Sequence, residues 1–172
     1  MPACNKLIAY LEAQIEPLRR QVRDIIAVDE QLQHIFDLLI NVTGIAAASA
    51  IQLLGEPLVL PDDMSAKRWV AMAGLDPRTH QSGSSVNKKP RRSKAGNRYL
   101  RIALFMPALS AARHDPNVRA YCQHLIENRG LKKLQAICAV MRKLLHAIHA
   151  MLKNRTPFDS RRFYTPTETT TD

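Results

Sequence analysis

The chain has 172 residues, of which 46% are hydrophobic, and a formal net charge of +10. That length buries one modest core with at most one appended element, which excludes two full-sized domains. The charge exceeds what solubility requires and makes a polyanion the expected partner.

The sequence has no apolar run of membrane-spanning length, and its N-terminus lacks the charged-then-apolar pattern of a signal peptide, so a cytoplasmic, nucleoid-associated protein is expected. Cys4, Cys122 and Cys138 are odd in number and far apart, which suits reduced thiols.

The first helix is expected from Leu7. Leu7, Leu11, Ile15, Leu18, Val22 and Ile25, then Leu32, Phe36 and Leu39, recur at steps of three and four, a coiled-coil seam. Pro17 lies inside it and is expected to kink or interrupt the helix, while Asp29 before Glu30 reads as a cap opening a second one. Residues 1–37 are therefore expected to form two dimerisation helices. Next, "LLINVTGIAAASAIQLLGEP" carries an apolar helix end, a turn at Gly44 and a small-residue helix over 46–54, stopped by Gly55 and Pro57. Ser65 is placed to cap "AKRWVAMAG", whose buried face is Trp69, Val70 and Met72 and whose closing turn is Gly74.

From Asp76 to Asn97 the apolar signal disappears, giving a long polar loop of the kind compact domains keep when it is functional or disordered. Helical spacing returns in "RYLRIALFMPALSAARH", with a kink expected at Pro107. Asp115 and Pro116 supply the cap and first turn of the next helix, which Gly130 ends. The last helix, "LKKLQAICAVMRKLLHAIHAMLKN", is apolar on one face and basic on the other, and residues 160–172 are expected to be a disordered tail. With no strand alternation, the expected fold class is all-α: coiled-coil-like helices, then a compact helical domain over 38–159 with a helix-hairpin-helix and a long basic loop.

Two segments carry a polyanion signal. The turn at "NVTGIAAASA" has the form of a helix-hairpin-helix, whose free N–H groups at Gly44 and Ala46 would suit a phosphate; an ordinary helix connection reads the same residues equally well. The second is Lys88, Lys89, Arg91, Arg92, Lys94, Arg98 and Arg101, seven cations without an intervening acid. A solvated face is the bland alternative. Against it, the run is internal and leads into a helix started by Gly96 and Asn97, where cations oppose the macrodipole until an anion arrives. Seven phosphate contacts would give a slope of roughly −6 in log K against log salt.

Ser82, in "HQSGSS", needs a base, metal or strong field before its hydroxyl attacks anything, and from the residues alone it reads as a turn serine. His146 and His149 share a helix face without a third ligand, and Asp62, Asp63 and Asp76 form no recognisable carboxylate set.

Taken together, "VTGIAAASAIQLLGEP", "SAKRWVAMAGLDPRTHQSGSS", "RRSKAGNRYLRIALFMPALSAARHDPNVRAYCQHL" and "AVMRKLLHAIHAMLKNRTPFD" follow one another in an order that resembles a known family. It is the C-terminal transposase domain of the insertion-sequence one-ten/one-sixteen group, which includes Piv-type DNA invertases. The resemblance runs from about Leu38 to Asp159. It implies DNA recombination through a phosphoserine intermediate, with Ser82 of "QSG" as nucleophile, Ser84 and Ser85 as alternatives, and Arg78, His80 and the loop cations near the scissile phosphate. It also implies a structured guide RNA as partner.

Full-length relatives carry an N-terminal RuvC-like domain with metal-binding carboxylates, and this sequence shows no matching ligands. No cofactor is therefore expected on this chain, magnesium belonging to that other domain, and no strand transfer is expected from the chain alone. The rival expectations are a non-catalytic nucleic-acid-binding regulator and a structural coiled-coil protein.

Overall fold

Helix α7 (Lys133–Asn154) is the axis of the core. Its Val140, Met141, Leu144, Leu145 and Ile148 are each at most 1% exposed. Against it pack α2 (Glu30–Ile40), α4 (Ala66–Met72), α5 (Arg98–His114) and α6 (Pro116–Glu127), while α3 (Ala47–Leu58) lies on α2 and α5. This arrangement is a computed structural model that describes residues 2–58, 60–61, 63–82, 86–92 and 95–165, with side chains undescribed at 2–3, 57–58, 78–82 and 86–92.

Helix α1 (Pro2–Val28) is the exception to the packed body. Only Ile26 of its described side chains is buried, and Val22 is half-buried. The seam residues Leu7, Leu11, Ile15, Leu18 and Ile25 are 43–65% exposed, so the helix meets the body at its C-terminal end and carries an uncovered apolar stripe along the rest. The expected break at Asp29 is present: its carboxylate accepts from the N–H groups of Gln31 and Leu32 at 2.8 and 3.1 Å. The interruption expected at Pro17 is absent, because α1 continues through it. Helices α3 and α5 likewise run through Pro57 and Pro107, and Pro107 is fully buried. An internal proline costs roughly 3 kcal/mol, which packing of the surrounding helix offsets at Pro107.

The all-α reading holds for the seven-helix body, with one correction at the expected basic loop. Pro77–Ser82 (β1) and Val86–Arg92 (β2) pair as an antiparallel hairpin beside the helices. A two-stranded ribbon is stitched by main-chain hydrogen bonds, which leave no mark on side-chain sequence. Apolar alternation arises only where a sheet face packs on a core. The register pairs Arg78 with Arg91, His80 with Lys88 and Ser82 with Val86, and slips between Arg78 and His80. Two residues of β2, Lys89 and Pro90, there face the single Thr79, and a bulge is where a strand tolerates a proline without its N–H.

The disordered tail expected over residues 160–172 is ordered at its start, and residues 166–172 lie outside the described residues. Ser160–Arg162 form a 3-10 turn capped by Asp159, and Phe163 is buried against Tyr121 and Phe158. The aromatic pair Phe163 and Tyr164 supplies the apolar surface that the threonine-rich sequence after it lacks.

Candidate nucleic-acid interface

The hairpin is held at both roots by the end of α4. On the entry side α4 closes in a Schellman turn: Gly74 N–H donates to Ala71 O at 2.9 Å and Leu75 N–H to Val70 O at 3.0 Å, with Gly74 at φ +63° and Leu75 buried. On the exit side Asn97 N–H donates to Met72 O at 2.6 Å. Asn97 then caps α5, its Oδ1 accepting from Leu100 N–H at 3.0 Å, while its amide donates to the Glu56 carboxylate on α3. Both roots are thus pinned to one helix end.

Gly96 makes that closure possible. Its φ is +110°, and a Cβ there would stand 2.9 Å from Met72 C and 3.2 Å from Ala71 O. No L side chain fits that approach without moving backbone.

The predicted site residues separate into groups. Arg78, His80 and Ser82 lie on β1, with Lys88, Lys89, Arg91 and Arg92 on β2, so the strand pairing brings seven of them into one ribbon. Ser82 is the last residue of β1, beside the turn. Ser84, Ser85 and Lys94 lie outside the described residues. Arg98 is the exposed first residue of α5. Arg101 is structural, its Nη1 donating to Ala73 O at 2.9 Å and Gly96 O at 3.4 Å and so clamping the hairpin's exit to α4.

Gly44 stands apart. It has φ +95°, and a Cβ there would lie 2.6 Å from Pro107 O and 2.9 Å from Ala111 N, so the turn between α2 and α3 is pressed onto the second half of α5. Ala46, just before α3, is exposed. With a rise of 1.5 Å per residue, the turn and the hairpin root lie roughly 15–20 Å apart along α5.

The register also concentrates charge. Arg78 opposite Arg91 places two cationic residues at one rung of an isolated ribbon, and like charges at facing positions destabilise a two-stranded pairing. An anion bound there removes the penalty. Sequence reasoning missed the hairpin although one signal was present: Ser82 and Val86 flank a three-residue connection that contains Gly83, the spacing of a short hairpin loop. It also missed Glu56, for which the sequence offers no cue.

The sequence model described as "Transposase IS116/IS110/IS902 family" matches residues 37–123, from within α2 through the hairpin and into α6. The chain belongs to this family. Pilin gene-inverting proteins of Moraxella bovis and Moraxella lacunata are each 35% identical to it over 159 residues, covering 90% of this chain and 48% of theirs. An uncharacterized insertion element IS110 protein of Streptomyces coelicolor is 30% identical over 126 residues, covering 72% of this chain and 30% of its own length. The chain thus spans about half the length of the pilin gene-inverting relatives. The part shared with the IS116/IS110/IS902 family contains the whole ribbon and both of its anchors.

The histidines of α7 lie away from the hairpin. His149 Nε2 donates to Met64 O at 2.8 Å and its half-buried ring stands edge-on to Trp69 at 5.0 Å, a structural role. His146 is held below the ordinary histidine value by burial, then by the neighbouring charges of Arg142, His149 and Lys67. Folding therefore favours the neutral ring. Its contribution is full above the unfolded value of 6.5 and is lost as pH falls from there through the depressed folded value. Melting temperature is expected to drop across that acid window, with His146→Gln flattening the drop.

Among the described residues no three His, Cys, Asp or Glu side chains meet to hold a metal ion. Nor is any described helix long and apolar enough to cross a membrane.

Proposed function

We propose that this chain is the DNA-binding serine domain of a transposase or site-specific recombinase, with the β1–β2 hairpin as its DNA-engaging element. The observation that carries the reading is the ribbon itself. Ser82 sits at the end of β1, and the same short hairpin bears Arg78, Lys88, Lys89, Arg91 and Arg92. The pilin gene-inverting name of two relatives points to the same chemistry.

In this reading Ser82 Oγ bonds to phosphorus while the bond to one strand's oxygen breaks. The serine proton leaves to a base and the departing strand oxygen gains one. The resulting phosphoserine keeps the ester energy, so attack by a strand hydroxyl rejoins DNA without ATP. His80, two positions before Ser82 on β1, is the chain's own candidate base. The ribbon's cations offset charge building on the phosphate oxygens. Completion of the reaction centre falls to a second domain of the full-length enzyme, and a structured RNA is a further polyanion for the basic surface.

Binding is tested by anisotropy with labelled duplex DNA over a salt series. Wild type is expected to show a steep slope, no steeper than about −6, and Arg91→Gln with Arg92→Gln to flatten it by about 2. At about 0.15 M salt that change corresponds to roughly thirtyfold weaker binding. A salt-independent signal contradicts the reading and leaves the charge incidental.

The uncovered stripe of α1 is proposed as a self-association surface, two copies pairing through Leu11, Ile15 and Leu18. Sedimentation is expected to find a dimer that Leu11→Glu with Leu18→Glu converts to a folded monomer. An unchanged mass for the variant contradicts this.

A further inference from the structure

We propose that the cleft between α7 and the C-terminal segment binds one nucleotide of a single-stranded nucleic acid. The inference takes its ligand class from the nucleic-acid reading above, but its site lies on elements that the hairpin does not include.

The cleft has a volume of about 510 Å³ and is bounded by α7 on one side and residues 156–163 on the other. That is within the roughly 300–1,000 Å³ of small-ligand sites. Its α7 side carries Ala147 and Ala150, two small side chains three residues apart, and so offers a flat floor on which a planar ring can lie. Phe158, half-buried and edge-on to Phe163 at a centroid distance of 6.2 Å, supplies the aromatic wall. A base set against such a wall gains stacking energy whatever its identity.

Charge completes the case. Lys143 opens the cleft on α7 and Arg162 faces it from the C-terminal segment. The Lys143 ammonium stands 4.4 Å from the Tyr121 ring centroid and 5.1 Å from that of Phe163, and among the described residues it has no carboxylate at ion-pair distance. Burial holds it below the ordinary lysine value.

Asp159 is the one acid of the lining; its two oxygens accept from Arg161 at 3.0 and 3.3 Å, and Arg162 Nε stands 3.8 Å from Oδ2, an exposed pair that a bound phosphate would have to share. Counting Arg161, the cleft keeps more cations than acids. A flat apolar floor, an aromatic wall and cations beside them fit a base and its phosphate together. A phosphate alone would leave the floor and wall unused.

The test uses the full chain and a labelled single-stranded oligodeoxyadenylate, read by anisotropy. Ala150 is exposed, so Ala150→Leu fills the floor while circular dichroism and melting show an intact fold. It is expected to weaken binding roughly fivefold or more, the loss of one stacked base. Arg162→Gln, at a side chain 89% exposed, is expected to weaken binding and reduce the salt slope by about 1.

An oligonucleotide with abasic positions is expected to bind wild type as weakly as the intact strand binds Ala150→Leu. Equal binding by abasic and intact strands overturns the nucleotide and leaves a phosphate contact only. Unchanged binding by Ala150→Leu, with Arg91→Gln and Arg92→Gln still weakening it, overturns the cleft but spares the hairpin. Absence of any oligonucleotide binding by wild type overturns both.

Discussion

Ser82→Ala is expected to abolish strand exchange, measured with the full-length enzyme context restored, while DNA affinity stays within about twofold. The asymmetry follows from where the groups lie. In the proposed reading affinity comes from the cations of both strands, and none of them is altered. In the same proposed reading the covalent step depends on one oxygen, which alanine lacks. Removing a nucleophile leaves only what binding and electrostatics supply, so the loss is expected to be several orders of magnitude in rate. A purely DNA-binding role for the chain predicts the opposite, with Ser82→Ala indistinguishable from wild type in every assay.

Gly96→Ala is expected to be the most damaging single methyl in the described part of the chain. A backbone at φ +110° is costly for any L side chain, and the added Cβ would meet Met72 O, the α4 carbonyl that receives the hairpin's exit strand, with Ala71 O close by. The bond from Asn97 N–H to Met72 O and the Arg101 clamp on Gly96 O and Ala73 O depend on that closure. A loss of about 2–4 kcal/mol is expected, or roughly 5–15 °C in melting temperature for a chain of this size. DNA binding should weaken in parallel, because the ribbon loses its root. Gly55→Ala is the control: a Cβ there meets nothing within 4 Å and the residue lies inside α3, so stability should rise by about 0.5–1 kcal/mol.

Much of the helical frame is legible in the sequence because helix starts use local chemistry. Asp29, Ser65, Asn97 and Asp115 each cap the helix that follows, as their side-chain oxygens and neighbours announce. The prolines at 17, 57 and 107 mislead for the opposite reason: their effect is set by what surrounds the helix, and tertiary contacts are invisible in a local window.

The hairpin is hidden because pairing between Arg78 and Arg91 is a main-chain event among residues chosen for charge. Arg101 shows the limit of reading function from charge alone. It continues the basic run in sequence, yet in space it ties two carbonyls of the scaffold together. Gly44 teaches the same lesson, since its positive φ is legible as a turn while its contact with α5 is not.

The central claim is that the oxygen attacking DNA belongs to Ser82 at the tip of this ribbon. The measurement that tests it most directly is the location of the covalent bond. A nicked suicide substrate is reacted in the full-length enzyme context, the trapped adduct is digested with nuclease and trypsin, and the remaining nucleotide is placed by fragmentation mass spectrometry. Cleavage after Arg78 and Lys88 releases a peptide, residues 79–88, that contains Ser82, Ser84 and Ser85 together. The account predicts a nucleotide mass on Ser82. A nucleotide on Ser84 or Ser85, or on Tyr99, which is 67% exposed at the start of α5, would contradict it.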